Sequence, residues 1–191
     1  MNHCGTVPLE TARLVLRRFE SSDAPAFFRN VCSDPKVSTY LTWKTHETPA
    51  ETEALLTDFI RRYENPARYC WAIILKETNE VIGTVAAPTV HELTECVEVT
   101  YAVGSAWWGK GYAPEALKAV MNFLFDRVGV NRIEAGHDVR NPNSGRVMEK
   151  VGMTYEGTQR DSLFVKGRYV SVGVCAVLEN EFRSMYGFPH P

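Results

Sequence analysis

The chain has 191 residues, of which 45% are hydrophobic and 23% charged, and its formal net charge at pH 7 is −2. This length favours one core over two, and no apolar run approaches the ~20 residues that a membrane-spanning helix requires. No long basic cluster marks the chain as a direct nucleic-acid binder. We therefore expect one domain over residues 1–191. Because the first residues show no secretion signal, we expect that domain in the cytoplasm, with no membrane contact.

Cysteine and histidine spacing indicates neither a disulfide framework nor a metal site. The five cysteines are scattered along the chain: Cys4, Cys32, Cys70, Cys96 and Cys175. Their odd number and the absence of any C-x-x-C pair argue for reduced thiols. The histidines do not fall at H-E-x-x-H or at any other ligand spacing, so no metal is predicted.

In the first third of the chain, the pattern of apolar and capping residues predicts one strand followed by two helices. Residues 13–19 alternate as a half-buried strand does, and the capping side chains of residues 21–23 begin a helix that continues to about Val31. A second helix begins at residues 48–51 and ends at Asn-Pro, residues 65–66.

The remaining two thirds predict mainly strands. Residues 70–75 and 81–86 form a hairpin, and the β-branched, alternating run 95–103 is a third long strand. Helices at 112–128 and 141–152 and strands at 132–135, 159–165 and 169–178 complete the order β, αα, βββ, α, β, α, ββ, which predicts a mixed α/β domain.

Residues 106–117, AWWGKGYAPEAL, place two glycines before the first turn of a helix. A helix N-terminus presents unpaired N–H groups, and glycines let an anion approach the backbone, so the motif favours a phosphate-bearing ligand. The spacing fits neither G-x-x-x-x-G-K-[ST] nor G-x-G-x-x-G. Taken alone, Gly-x-Gly is more often a tight strand-to-helix turn than a ligand site.

Four ordered motifs resemble those of the GCN5-related N-acetyltransferases (GNATs), in the branch that includes the ribosomal-protein N-terminal acetyltransferases. They lie at residues 98–103, 108–117, 131–133 and 141–153, and the likeness spans about 13–182. The resemblance implies a GNAT fold: a mixed, mostly antiparallel sheet of six to seven strands, flanked by about four helices, with a splayed central strand pair. It also implies an acyl-CoA-dependent N-acyltransferase.

The same resemblance implies acetyl-CoA as cosubstrate and indicates which residues hold it. The glycine loop gives backbone amides to the pyrophosphate, the third strand pairs with the pantetheine arm, and the late helix contacts CoA. Asn141 contacts CoA or only caps its helix. The implied set is Val99, Tyr101, Val103, Trp108, Gly109, Lys110, Gly111, Tyr112, Ala113, Asn141 and Ser144.

For catalysis, the resemblance puts Glu98 on the strand that faces the acceptor, where it would act as base directly or through water. The alternative is a solvated strand carboxylate, and Asp138 is a weaker candidate. Many relatives protonate the leaving thiolate with a tyrosine at the position of Met148. Since methionine cannot do so, Ser144 or water would serve, or the thiolate would leave unaided.

The acceptor pocket of this branch is built from the two early helices and the last hairpin. Tyr40, Trp43, Trp71 and Tyr155 form a candidate aromatic wall there, although core packing is the commoner role of such side chains. The leading hypothesis is acetylation of a primary amine, with a protein or peptide N-terminus as acceptor. Alternatives are a small-molecule amine and a non-catalytic acyl-CoA-binding module. The protein is expected to be a monomer or homodimer.

Overall fold

The computed structural model describes residues 1–187, which contain eight strands and six helices. No helix in this part of the chain is both long and apolar enough to cross a membrane. In chain order the elements are β1 (Leu9–Glu10), β2 (Leu14–Arg17), α1 (Ala24–Phe27), α2 (Pro35–Ser38), α3 (Pro49–Arg62), β3 (Tyr69–Leu75), β4 (Glu80–His91), β5 (Cys96–Val103), α4 (Tyr112–Phe123), β6 (Arg132–Asp138), α5 (Pro142–Lys150), β7 (Thr154–Val165), β8 (Arg168–Leu178) and α6 (Glu179–Tyr186).

The strands form one mixed sheet in the order β1-β2-β3-β4-β5-β6-β8-β7. Every neighbouring pair is antiparallel except β5 and β6, which run parallel. Helix α4 makes the crossover between those two strands, as a parallel connection requires. The predicted hairpin of residues 70–75 and 81–86 is confirmed as part of β3 and β4.

Apolar side chains cover both faces of the sheet. Leu16, Trp71 and Val99 lie on one face, where they pack with α4, α5 and α6 in the larger core cluster. The opposite face packs against α1–α3 in a smaller cluster that includes Phe27 and Leu56. Central strands are therefore buried on both sides, which explains their nearly continuous apolar sequence.

The predicted fold class is confirmed, although the element count is higher than expected. The sequence predicted six to seven strands and about four helices. The additional strand β1 is two residues long and the additional helix α2 is one turn long, so neither is long enough to show a hydrophobic period. The other additional helix, α6, follows β8 directly and was not predicted. Helix α4 gives way to a π-helical turn at Leu124–Val128 before the left-handed Gly129 that was predicted as its end.

All five cysteines are free thiols, and Cys4 alone is exposed. Burial raises the pKa of Cys32 and of Cys70 to about 12, so both remain protonated at neutral pH. This is the opposite of what a cysteine nucleophile requires.

Candidate active site

Strand β5 separates from its parallel neighbour β6 part-way along the sheet. The two strands pair over only three positions, of which the last joins Glu98 to Glu134. Beyond that point β5 continues beside β4, and β6 continues beside β8 as far as Asp138. We call this gap the fork; it is the splayed central pair that the sequence predicted.

The free edge of β5 faces the fork. The amide of Gly104 donates to the carbonyl of Ile82 on β4, so by alternation along the strand the peptide groups of Tyr101 and Val103 point away from β4. A peptide-like chain that entered the fork could pair with this edge as an added strand does. Pantetheine, with its two amide groups, has that character.

The glycine loop lies beside the fork and ends at the N-terminus of α4. Gly109 and Gly111 have φ angles of 75° and 81°, a conformation that side-chain-bearing residues rarely adopt. Apart from Gly109 and its two chain neighbours, no residue of 1–187 has an atom within 4 Å of where a Cβ of Gly109 would be, so packing against the protein does not require a glycine there. None of the amides of residues 109–113 donates to a protein acceptor in the described chain. A run of unpaired donors over open space is suited to an anion.

Arg13, at the start of β2, holds this loop from behind. Its Nη1 donates to the carbonyl oxygen of Lys110 at 2.9 Å, and its guanidinium lies 4.4 Å from the centre of the Tyr112 ring. Because C=O and N–H point in opposite directions across a trans peptide, fixing the Lys110 carbonyl toward Arg13 turns the Gly111 amide toward the opposite side. A side chain 97 residues away thus orients the anion-binding backbone.

Glu115, in the first turn of α4, anchors Arg13 in turn. The Arg13 Nε donates to Oε2 of Glu115 at 2.7 Å, and Thr11 Oγ1 donates to Oε1 at 2.6 Å. Partial burial opposes ionisation, but the hydrogen bonds from Thr11 and Arg13 outweigh it and lower the pKa of Glu115. The sequence analysis missed both Arg13 and Glu115, since nothing local relates positions that lie 102 residues apart.

The loop, β5, α5 and α2 enclose a cleft of about 440 Å³. Its charged lining residues are Lys36, Arg146 and Lys150, and no carboxylate of the described chain is among them. This charge suits a polyphosphate ligand. The cleft also contains nine of the predicted cofactor-binding residues: Tyr101, Val103, Trp108, Gly109, Gly111, Tyr112, Ala113, Asn141 and Ser144. The other two predicted residues do not line the cleft: Val99 is buried in the core, and the carbonyl of Lys110 accepts the hydrogen bond from Arg13.

Trp108 and Asn141 both line the predicted cofactor cleft, and their side chains have different partners. The indole of Trp108 is 49% exposed and donates to the carbonyl of Val103, so it closes the loop onto the end of β5. Asn141 stands at the N-cap of α5, but its side chain makes no capping hydrogen bond and faces the cleft. Of the two predicted roles for Asn141, this geometry supports contact with a ligand.

Two hydroxyl groups meet inside the cleft. Tyr101 Oη lies 2.8 Å from Ser144 Oγ and 2.8 Å from the Ser144 carbonyl oxygen. Burial raises the pKa of Tyr101, although the Ser144 hydrogen bond opposes the shift. Met148, one turn further along α5, is 1% exposed and belongs to the main core.

Glu98 lies at the base of the fork, half-buried. Val97 and Val99 belong to the core on the α4 face, so the Glu98 side chain points to the opposite face. Its carboxylate makes no ion pair or hydrogen bond within residues 1–187. Its neighbour Glu134 is bound by Arg132 at 3.1 Å. Glu98 is therefore available to accept a proton at this point of the sheet.

Asp138, the weaker candidate base, is already engaged. It is 8% exposed and accepts hydrogen bonds from the backbone and side chain of Arg140. Those bonds lower the pKa of Asp138, which makes it a poorer proton acceptor than an unpaired carboxylate.

The four predicted acceptor-site aromatic residues do not come together. Tyr40 is 41% exposed and lines the cleft, whereas Tyr155 is 53% exposed on β7. Trp43 packs at the edge of the smaller core against His46. Trp71 is fully buried on the α4 face, with its Nε1 donating to the carbonyl of Val7, so it lies on the other side of the sheet from Glu98.

A family model described as an acetyltransferase (GNAT) domain matches residues 13–154. The chain belongs to the GNAT family. It is 32% identical over 179 residues to an uncharacterized N-acetyltransferase, p20, of Bacillus licheniformis, with 91% of this chain and 97% of that protein covered. A GNAT-family acetyltransferase structure from Bacillus anthracis matches with a TM-score of 0.80 at 25% identity, covering 91% of this chain and 99% of the other.

Two further relatives of this GNAT protein are named for their acceptors. The spermidine N(1)-acetyltransferase of Vibrio cholerae is 22% identical, with 90% of this chain and 96% of that protein covered. The [ribosomal protein uS5]-alanine N-acetyltransferase of Escherichia coli is 24% identical, with 66% of each covered. The protein is thus an acyl-CoA-dependent N-acetyltransferase, and its relatives include both protein and small-molecule acetylators.

Proposed function

We propose that this protein transfers the acetyl group of acetyl-CoA to the α-amino group of a protein or peptide N-terminus. The observation that carries the proposal is the open acceptor side of the fork: Glu98 stands there unpaired, and the aromatic side chains that could enclose a small amine lie apart.

Different residues of the cleft would bind different parts of acetyl-CoA. The backbone amides of residues 109–113 would hold the pyrophosphate, with Lys36, Arg146 and Lys150 supplying further positive charge. The free edge of β5 would pair with the pantetheine and bring the thioester to the base of the fork. A strand N–H near residues 99–101 would stabilise the oxyanion, a contribution worth about 3 kcal/mol where such donors have been removed in other enzymes.

Glu98 is placed to take the proton that the amine loses. An α-amino group with a pKa near 8 is about one-tenth neutral at pH 7, whereas a lysine with a pKa near 10.4 is neutral less than about once in 10³. A single half-buried carboxylate without an ion-pair partner, acting directly or through water, is enough help for the α-amino group. The absence of a more elaborate base around Glu98 favours that acceptor.

The exposure of the neighbouring elements supports a large acceptor. Strand β7 is exposed along almost its whole length, and its turn reaches α2, where Lys166 Nζ donates to the carbonyl of Ser38 at 2.6 Å. An extended peptide could lie along such a surface, while a small amine would find few enclosing walls.

The test compares three acceptors at equal concentration, with release of free CoA thiol as the measurement. The acceptors are a peptide with a free N-terminus and no lysine, the same peptide with an acetylated N-terminus and one internal lysine, and spermidine. We expect kcat/KM to be highest for the free N-terminus, by about tenfold or more given the difference in neutral fraction. A higher kcat/KM for spermidine would contradict the proposal and assign a small-amine acceptor.

A further inference from the structure

The hydroxyl pair of Tyr101 and Ser144 joins the two sides of the fork. Tyr101 projects from β5, and Ser144 lies in the first turn of α5, so their 2.8 Å contact spans the gap that β6 has left. Both residues line the cleft. Since the free β5 edge leads a pantetheine chain toward the base of the fork, this pair lies beside the path of the CoA sulfur.

The single proton of the Tyr101 hydroxyl has two acceptors within reach, the Ser144 carbonyl oxygen and Ser144 Oγ, each at 2.8 Å. Each hydroxyl carries one proton and can accept two. When Tyr101 donates to Ser144 Oγ, the proton of Ser144 is directed to a third acceptor. The Ser144 carbonyl, 2.8 Å from Tyr101 Oη, is the competing acceptor for the tyrosine proton. An anion placed next to Ser144 favours the arrangement in which Tyr101 donates to Ser144 Oγ and Ser144 donates to the anion.

We propose that Tyr101 is a positioning residue that orients the Ser144 hydroxyl toward the CoA sulfur, so that the pair stabilises the departing thiolate by hydrogen bonding. The inference rests on the transfer of acetyl from acetyl-CoA given above. It assigns to Ser144 in the first turn of α5, oriented by Tyr101 on β5, the help that Met148, buried in the core, cannot give.

The step balances without net loss of a proton from either hydroxyl. The amine nitrogen bonds to the thioester carbon, the C–S bond breaks and its electron pair remains on sulfur. Ser144 donates a hydrogen bond to that sulfur while Tyr101 donates to Ser144. The proton released by the amine, taken by Glu98 or by water, is the one that the thiolate finally acquires from solvent.

Hydrogen bonding, and not full proton transfer, follows from the acidities involved. Ser144, the group that touches the sulfur, is an aliphatic alcohol and a far weaker acid than a thiol, so transfer of its proton to the thiolate is disfavoured. Burial of Tyr101 raises its pKa and makes it a poorer proton donor as well. The pair therefore remains protonated throughout and acts as a fixed donor.

The experiment titrates the thiol of CoA bound to the protein. CoA labelled with ¹³C in the methylene next to sulfur reports thiol ionisation by its NMR shift, without signal from the protein cysteines. We expect the bound thiol pKa in the wild type to lie about one unit below that of free CoA titrated in the same way. Tyr101→Phe and Ser144→Ala should each reverse that shift, which lowers the thiolate fraction about tenfold, and the double variant should do no more than either single one.

Control variants separate this role from a structural one. Ser144→Thr keeps the hydroxyl and should retain the lowered thiol pKa. Tyr186→Phe removes a tyrosine hydroxyl at the α6 core contact with Phe182 and should leave the titration unchanged. An unchanged thiol pKa in Tyr101→Phe, or additive shifts from the two single variants, would overturn the proposal. No acceptor amine is present, so the result does not depend on whether the acceptor is a peptide or a small amine.

Discussion

The donor side of the fork is formed mainly by backbone groups, whereas the acceptor side is formed mainly by side chains. On the donor side, glycine backbone, a helix N-terminus and the buttress of Arg13 and Glu115 create a site whose form depends on main-chain geometry. On the acceptor side, exposed side chains stand along β7. The donor site should therefore be sensitive to single backbone changes. The acceptor site is open to change in its specificity.

Gly111→Asp is the strongest test of this difference. A carboxylate among the amides of residues 109–113 opposes an anion, and the φ of 81° disfavours any side chain. We expect CoA affinity, measured by calorimetry, to fall by about a hundredfold or more. Gly129→Asp is the matched control, because Gly129 also has a positive φ and open space around its Cβ position but ends α4 far along the chain. Equal losses in the two variants would show that backbone strain alone is responsible.

Glu98→Gln tests the acceptor side of the same fork. Removing the base should lower kcat by about ten- to a hundredfold and flatten the dependence of turnover on pH, while CoA affinity stays unchanged. Glu134→Gln provides the control, since that carboxylate occupies the paired position on β6 but is bound by Arg132. A pH profile unaltered by the Glu98 substitution would remove this residue from the mechanism.

Arg13→Ala measures how much the buttress contributes to the donor site. Loss of the hydrogen bond to the Lys110 carbonyl releases the peptide plane that directs the Gly111 amide, so CoA affinity should fall about tenfold. Arg18→Ala is a close match, because Arg18 also stacks on a tyrosine, Tyr63, and also donates to a carbonyl, that of Thr6. If the two variants weaken CoA binding equally, the loop does not depend on Arg13.

The donor side was predictable because its signals are local. Two glycines, a preceding β-branched strand and a following amphipathic helix occupy residues 95–128, and the structure places nearly all of the predicted cofactor residues in one cleft. The buttress was not predictable, since Arg13 and Glu115 meet only through the order of the strands. The contact between Tyr101 and Ser144 has the same origin.

Trp71 illustrates a different limit of prediction from sequence, namely which face of the sheet a side chain joins. Strand β3 reads YCWAIIL, with apolar residues on both faces, because the strand is covered on both sides. Alternation cannot then indicate which face a side chain joins. In β5, by contrast, Glu98 and Thr100 interrupt the apolar run, so the orientation of the strand could be inferred.

The unpaired edge of β5 also affects the stability of the folded protein between catalytic cycles. A sheet that lacks part of one strand is completed by whatever ligand occupies the gap, and a ligand that binds only the folded state stabilises it by mass action. At a CoA concentration a hundred times the Kd, this adds about 2.7 kcal/mol to the free energy of unfolding. The persistence of the folded enzyme is thereby linked to the size of the CoA pool around it.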